Sequence, residues 1–203
     1  MGSAIIGVDV GALHACVALS SGRVACWGSN ANGQLGIGTT VASSRFEFVS
    51  SLTDAISMSV GNGFTCAVRR TGQVACWGNN TSGQLGDGTI TNRSQPVAVL
   101  SLDDAVEVSA GATSTCARRA SGAVVCWGAN DSGQLGDNTM TMRLAPTMVS
   151  GITDAVSLGA GDQHACARSA SGALYCWGRN DADQLGSGAM VRQSLVPVPV
   201  LGY

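Results

Sequence analysis

The chain has 203 residues, of which 45% are hydrophobic and 12% are charged. The charged share is about half of that in an average globular protein, and the formal net charge is -2. All 11 basic residues are Arg, and no basic field exists that would drive general phosphate binding. We therefore expect no nucleic-acid partner.

No targeting or membrane-spanning segment is visible in the sequence. No apolar run approaches the roughly 18 residues that a membrane helix needs. Residues 1–16 lack the charged and apolar regions of a secretory signal peptide. The sequence thus predicts no membrane partner, and it fits either a cytosolic protein or one that begins after a cleaved signal.

One segment occurs four times with small changes. It reads CWGSNANGQLGIGT from Cys26, CWGNNTSGQLGDGT from Cys76, CWGANDSGQLGDNT from Cys126 and CWGRNDADQLGSGA from Cys176. The copies are 50 residues apart, and a Gly-rich repeat of this length is typical of a propeller or solenoid. We expect a single repeat domain over residues 1–203, with units near 4–53, 54–103, 104–153 and 154–203.

Four segments of the second unit have the pattern of short β-strands. Residues 54–60 alternate between apolar and polar side chains, and 65–69 and 73–77 flank a turn. Residues 95–100 begin with Gln-Pro, which suits the start of a strand or an edge strand. Four antiparallel strands in each unit predict an all-β fold of β-propeller blades without helices.

The central hairpin can be predicted in register. If Cys66 lies opposite Cys76, a three-residue loop of residues 70–72 remains, with Gly72 at its third position. Such loops favour Gly there, because that residue adopts the left-handed conformation. The cysteine pair then falls on a non-hydrogen-bonded site, where the Cα atoms are close enough for a disulfide.

The eight cysteines have three interpretations: metal ligands, buried reduced thiols or disulfides. Zinc sites prefer cysteines with two to four residues between them, whereas these pairs have nine. An even count at hairpin-compatible positions favours four structural disulfides. The pairs would be Cys16 with Cys26, Cys66 with Cys76, Cys116 with Cys126, and Cys166 with Cys176. Oxidised pairs predict an extracellular or periplasmic location, and reduced ones a cytosolic location.

The pattern CWG-x-N-x-x-GQLG-x-G-T, preceded by G-x-x-H-x-C-A, resembles the repeat of the RCC1 (regulator of chromosome condensation) family. The resemblance covers residues 4–200, and its clearest departure is Asp183, which replaces the first Gly of the last GQLG. It implies a β-propeller, with seven blades in the best-known members. This chain holds four repeats.

A shortfall of blades would leave strand edges and apolar faces open. Three arrangements follow: a fragment of a longer propeller, a compact four-bladed ring, or a homodimer that completes an eight-bladed ring. Self-association is favoured, because a dimer about a two-fold axis satisfies the open edges symmetrically.

No catalytic residue, metal site or cofactor is predicted. His14 and His164 each precede a cysteine by two residues and could be metal ligands or general bases. Phe64 and Ser114 fill the same position in the other units, and no Ser/Asp partner accompanies either histidine. We therefore expect both histidines to be structural and the protein not to be an enzyme.

The repeated Asn and Trp residues could suggest calcium or phosphate loops and sugar-binding platforms. The acidic positions vary, since Asp87 and Asp137 are replaced by Ile37 and Ser187. The sequence therefore favours turns and blade packing for these residues.

Function is expected where the repeats differ, in the segments that follow GQLG. Each segment carries one Arg near the same register, beside Met or Phe, and these residue types are enriched at interfaces. The predicted contact residues are Arg45, Phe46, Arg93, Met140, Met142, Arg143, Met190 and Arg192. In the alternative interpretation each Arg is solvated or pairs with a nearby Asp.

The sequence favours a non-enzymatic binding or scaffold module that presents this loop face to a protein or glycan. The resemblance implies an alternative, a guanine-nucleotide exchange factor for a small GTPase. Such factors insert a dedicated hairpin or loop, for which a strict 50-residue period leaves no room. In a further alternative the chain is part of a larger propeller whose function lies elsewhere.

Overall fold

The computed structural model describes residues 3–202 as sixteen β-strands in four sheets of four. Blade 1 contains β1 (Ile5–Val10), β2 (His14–Leu19), β3 (Val24–Gly28) and β4 (Ser43–Phe48). Blade 2 contains β5 (Ala55–Val60), β6 (Phe64–Arg69), β7 (Val74–Gly78) and β8 (Arg93–Ala98). Blade 3 contains β9 (Ala105–Ala110), β10 (Ser114–Arg119), β11 (Val124–Gly128) and β12 (Arg143–Met148). Blade 4 contains β13 (Ala155–Ala160), β14 (His164–Ser169), β15 (Leu174–Arg179) and β16 (Gln193–Pro199). Among the described residues there is no helix, and so none that could cross a membrane.

Each blade is an antiparallel meander whose strands pair in sequence order, and the predicted central hairpin is confirmed. Cys66 lies opposite Cys76, and the Arg69 amide donates to the Gln73 carbonyl at 2.8 Å. Gly72 has φ 83°, the left-handed conformation that the third loop position requires. The outer strand β8 begins two residues earlier than predicted, at Arg93, because a bulge between Cys76 and Gly78 shifts its register.

The predicted disulfides are present in all four blades, each joining the two middle strands. The Cα atoms of a pair are 4.0–4.1 Å apart, as expected for a non-hydrogen-bonded site. Seven of the eight cysteines are buried, and Cys166 in blade 4 is half-buried. The bridges therefore belong to the blade cores rather than to the surface.

Three apolar cores join the blades, one between each consecutive pair. Every blade has two faces. The first face packs on the preceding blade in blades 2 to 4, and the second face packs on the following blade in blades 1 to 3. Between blades 1 and 2, the second face contributes Cys16, Val24 and Leu35, and the first face contributes Ala67 and Trp77. The same positions recur at the other two interfaces.

The four blades form an open arc, not the compact four-bladed ring considered above. On the first face of blade 1, Val8 is 68% and Val10 is 66% exposed. Their equivalents on the first faces of later blades, Val108 and Val60, are each 6% exposed because a preceding blade covers them. The first face of blade 1 is thus uncovered.

Candidate functional site

The strand directions place all long variable loops at one end of the arc, as predicted from the sequence. The first and third strands of each blade run toward this end, so the turn after the first strand and the long loop after the third both lie there. We call it the loop end. The long loops contain residues 29–42, 79–92, 129–142 and 180–192.

A buried Asn holds each long loop in shape. The Asn80 side-chain carbonyl accepts from the Leu85 amide at 3.0 Å, and its amide group donates to the Thr89 and Thr91 carbonyls. Asn30, Asn130 and Asn180 make the corresponding bonds. The repeated Asn residues are therefore loop staples, as the turn interpretation predicts.

Blades 2 and 3 add an ion pair to this staple. The Arg93 guanidinium lies 2.7 Å from the Asp87 carboxylate, whose side chain is only 7% exposed. Burial by itself raises the pKa of Asp87, but hydrogen bonds from Thr89, Arg93 and Asn80 outweigh it and hold the pKa below its ordinary value. Asp137 and Arg143 form the same pair in blade 3 at 2.9 Å.

The four predicted arginines do not form one equivalent circle. Arg93 and Arg143 occupy the same position and are engaged with aspartates, in line with the pairing alternative. The equivalent position in blade 1 is Ser43; Arg45 lies two residues further on, within β4. Arg192 immediately precedes β16. Arg45 and Arg192 are exposed.

Exposed apolar side chains project from the tip of each long loop. Ile90 is 57%, Met140 is 50% and Met142 is 45% exposed, and Met190 is fully exposed. Val41 and Val191 add two more exposed residues of this kind, at 71% and 48%. We call these six residues the rim. Val41, Ile90 and Val191 were not among the predicted contact residues, although they occupy matching loop positions.

Phe46 lies apart from the rim, on the first face of blade 1. Its ring stacks on Trp27 with 4.8 Å between centroids, and the Arg23 guanidinium lies 3.4 Å from the centroid of Phe48. Blades 2 to 4 carry Pro96, Pro146 and Pro197 at the position of Phe46. These aromatic contacts partly cover a face that has no preceding blade.

The other tryptophans pack between blades, which confirms the packing interpretation. The indole N–H of Trp77 donates to the Gln34 carbonyl of the preceding blade at 2.9 Å, and Thr65 donates to the same carbonyl. Trp127 and Trp177 make the same bond to Gln84 and Gln134, at 2.9 and 3.0 Å. Trp77, Trp127 and Trp177 are fully buried.

Small residues in the turns after the first strands of the four blades lie close together at the loop end. Gly11, Gly61, Gly111 and Gly161 line a shallow depression of about 330 Å³. A Cβ on Gly11 would lie 2.5 Å from the Gly61 carbonyl oxygen, and one on Gly61 would lie 2.6 Å from that of Gly111. These glycines let the inner strands of consecutive blades approach closely.

His14 is buried between blades 1 and 2. Its Nε2 is 2.9 Å from the Thr65 hydroxyl in blade 2. Burial lowers the pKa of His14 to about 4, against a smaller opposing effect of Asp9, so the ring is neutral at pH 7. His164 is half-buried against Gly161. Among residues 3–202, no three His, Cys, Asp or Glu side chains are grouped to hold a metal ion.

The repeated four-stranded blades, the inter-blade Trp bonds and the loop staples define a β-propeller repeat protein. The sequence profile of the regulator of chromosome condensation (RCC1) repeat matches residues 21–68, 71–118, 121–168 and 171–202. A second profile of this repeat matches 5–34, 55–84, 105–134 and 155–184. The chain belongs to the RCC1 repeat family. No curated relative matches it by sequence.

Solved structures of RCC1 propellers share the fold. Prp20p from Saccharomyces cerevisiae, described with its binding properties to Gsp1p and histones, superposes with a TM-score of 0.87 at 20% identity. Yeast RCC1 (Prp20) bound to Kap60 gives 0.86 at 21%, and human WBSCR16 gives 0.85 at 21%. These matches cover 100%, 100% and 96% of this chain, but only 51%, 50% and 51% of the matched chains. The chain thus spans about half the length of the structures it resembles.

Proposed function

We propose that the chain is a non-enzymatic binding module whose loop end contacts a protein partner. The rim carries this proposal, because exposed Met and Ile side chains recur on consecutive blades at one end of the arc. The Asn staples and the Asp–Arg pairs support it, since they hold the loops in shape before a partner arrives.

The disulfides support an extracellular or periplasmic location, since such bridges persist in oxidising compartments.

A role as a nucleotide-exchange factor is less well supported, because the long loops have nearly the same length in all four blades and none carries a longer insertion. A fold shared with Prp20p does not by itself establish a shared function.

Self-association through the two uncovered blade faces, which the sequence favours, is a competing arrangement. It is tested by light scattering on a sizing column, where a dimer would have twice the mass of 20.4 kDa. The end faces depart from the internal ones at Phe46 and Asp183, and we therefore expect a monomer.

The rim is tested with two matched triple variants. One replaces Ile90, Met140 and Met142 by Ser; the control replaces Ile56, Val106 and Val156, which are 38–42% exposed on the inner strands. Each of the three proteins is immobilised and incubated with the extracellular or periplasmic fraction of the organism that produces the chain. The captured proteins are quantified by mass spectrometry. We expect a protein that binds the wild type and the control but not the rim variant. Equal capture by all three would refute the rim as the contact surface.

A further inference from the structure

Each of the first three blades holds the outer strand of the next blade in a cleft of its long loop. The Gly38 amide donates to the Ser94 carbonyl at 2.8 Å, and the Gly88 amide to Leu144 at 2.9 Å. The Asn138 amide completes the series with a 2.9 Å bond to Leu195. The cleft is therefore a site for an extended chain, and it is occupied three times within the protein.

In blade 4 the same cleft is open. It has a volume of about 290 Å³ and is lined by residues that include Asp183, Ser187, Gly188 and Met190. Gly188 occupies the position of Gly38 and Gly88, and no residue among 3–202 accepts a hydrogen bond from its amide. The donor that binds a strand carbonyl in the other blades is thus available here.

The open cleft differs from the occupied ones at Asp183. Gly33, Gly83 and Gly133 fill this position in the other blades. A Cβ on Gly33 would lie 2.5 Å from the Ser94 Cα, and one on Gly133 would lie 3.0 Å from the Leu195 Cα. At Gly83 the Cβ would lie 2.5 Å from the Leu144 side chain and 3.4 Å from the Leu144 Cα. Asp183 has such a Cβ, so an outer strand in this cleft must shift outward.

A second difference also disfavours a further blade. The Ser59 hydroxyl accepts from the Ala110 amide of the next blade at 3.1 Å, and Ser109 accepts from Ala160 at 2.8 Å. Blade 4 has Gly159 at this position and so offers no acceptor. A blade packed in the internal manner would leave one inner-strand amide without its usual acceptor.

We propose that the blade 4 cleft binds an extended peptide that carries a basic side chain. A free peptide can shift outward by the small distance that the Asp183 Cβ requires, and its carbonyl can still accept from Gly188. The Asp183 side chain is exposed, and no described residue forms an ion pair with it. Its carboxylate therefore favours a cation on the peptide. Arg192 is exposed in the same loop but does not line the cleft.

Met190 belongs to both the rim and the cleft, but the proposal rests on Gly188 and Asp183, and its test uses neither of the two triple variants. The probe is a blocked synthetic peptide with the sequence of residues 91–98, TNRSQPVA, which contains the strand that fills the blade 1 cleft. It is titrated into the ¹⁵N-labelled full chain. We expect a concentration-dependent shift of the Gly188 amide signal, with about fivefold weaker binding for a peptide whose Arg is replaced by Gln.

The matched protein variant is Asp183→Asn, which keeps the side-chain size and removes the charge. We expect this variant to bind the basic peptide about fivefold more weakly and to bind both peptides equally. No shift at Gly188 in the wild type, or equal affinity of wild type and Asp183→Asn for the basic peptide, would overturn the proposal. A wild-type dimer in which Gly188 is protected from exchange would also overturn it, because a second copy would then fill the cleft.

Discussion

The indole N–H of Trp77 and the main-chain carbonyl of Gln34 form a 2.9 Å hydrogen bond between consecutive blades. The bond lies in a core that excludes water, since Trp77 is fully buried and Gln34 is 2% exposed. It recurs at all three interfaces and joins each of blades 2 to 4 to the long loop of the preceding blade. Trp27, in blade 1, has no preceding blade and stacks on Phe46 instead.

This difference predicts unequal effects of the same substitution. Trp127→Phe removes the bond to Gln84 and leaves a void in the core, and we expect it to lower the free energy of unfolding by about 2–3 kcal/mol. Trp27→Phe keeps an aromatic ring against Phe46 and should cost less than about 1 kcal/mol. Guanidinium unfolding with the disulfides intact measures both. Equal losses would show that the inter-blade bond contributes little.

The loop-end glycines predict a second pair of contrasting variants. A Cβ on Gly111 would lie 2.3 Å from the Gly161 carbonyl oxygen, which is main chain and cannot rotate away. We expect Gly111→Ala to cost about 1–3 kcal/mol through this overlap. A methyl group on Gly159 would meet no heavy atom within 4 Å, so Gly159→Ala should be neutral or slightly stabilising. Thermal unfolding compares the two, and a neutral Gly111→Ala would contradict the close approach.

The burial of the disulfides predicts the order in which they are reduced. Cys166 is half-buried on the uncovered second face of blade 4, whereas the cysteines of blades 1 to 3 are fully buried between blades. Because a thiolate must reach the sulfur atom it attacks, Cys166–Cys176 should open first under mild reductant without denaturant. Alkylation followed by peptide mass mapping identifies the modified residues. Simultaneous labelling of all eight cysteines would mean that reduction follows unfolding of the whole arc.

The buried His14 predicts a pH dependence of stability. Its pKa in the folded chain is about 4, below the ordinary 6.5, because burial disfavours the charged ring. Between these values the unfolded chain binds a proton that the folded chain does not, so stability falls as the pH is lowered from about 6.5 to 4. His14→Phe, which places the residue of blade 2 at this position, should reduce this loss.

The comparison is made by urea unfolding of wild type and His14→Phe at pH 7 and pH 4.5. Carboxylates titrate in both proteins, so only the difference between the two pH profiles reports on His14. We expect the variant to lose less stability than the wild type, by about 2–3 kcal/mol at most. Parallel profiles would show that the ring is already protonated at pH 4.5 without cost.

The fold could be predicted closely because its determinants are local. The Cys66–Cys76 register follows from a turn that needs Gly72 and from a cysteine spacing that suits one type of strand pair. The predicted start of the outer strand was wrong by two residues, since a bulge between Cys76 and Gly78 changes the register there. Local rules do not specify such a bulge.

The candidate site was predicted less well, because it depends on contacts between loops and blades. The sequence showed Arg93 and Arg143 near the same register but did not settle whether each would pair with the Asp six residues before it. Phe46 was assigned to the contact surface, and its position beside Trp27 follows only from strand pairing. Asp183 was visible as a departure from the repeat, but its effect requires the position of the neighbouring strand.

The disulfide across each central hairpin also changes the result of proteolytic cleavage within that hairpin. Arg70 lies at an exposed hairpin tip, between Cys66 and Cys76. A protease that cleaves after Arg70 would leave two polypeptides that remain covalently joined, and both would stay paired in the same sheet. The exposed tip is thus a place where this chain can be nicked without being divided.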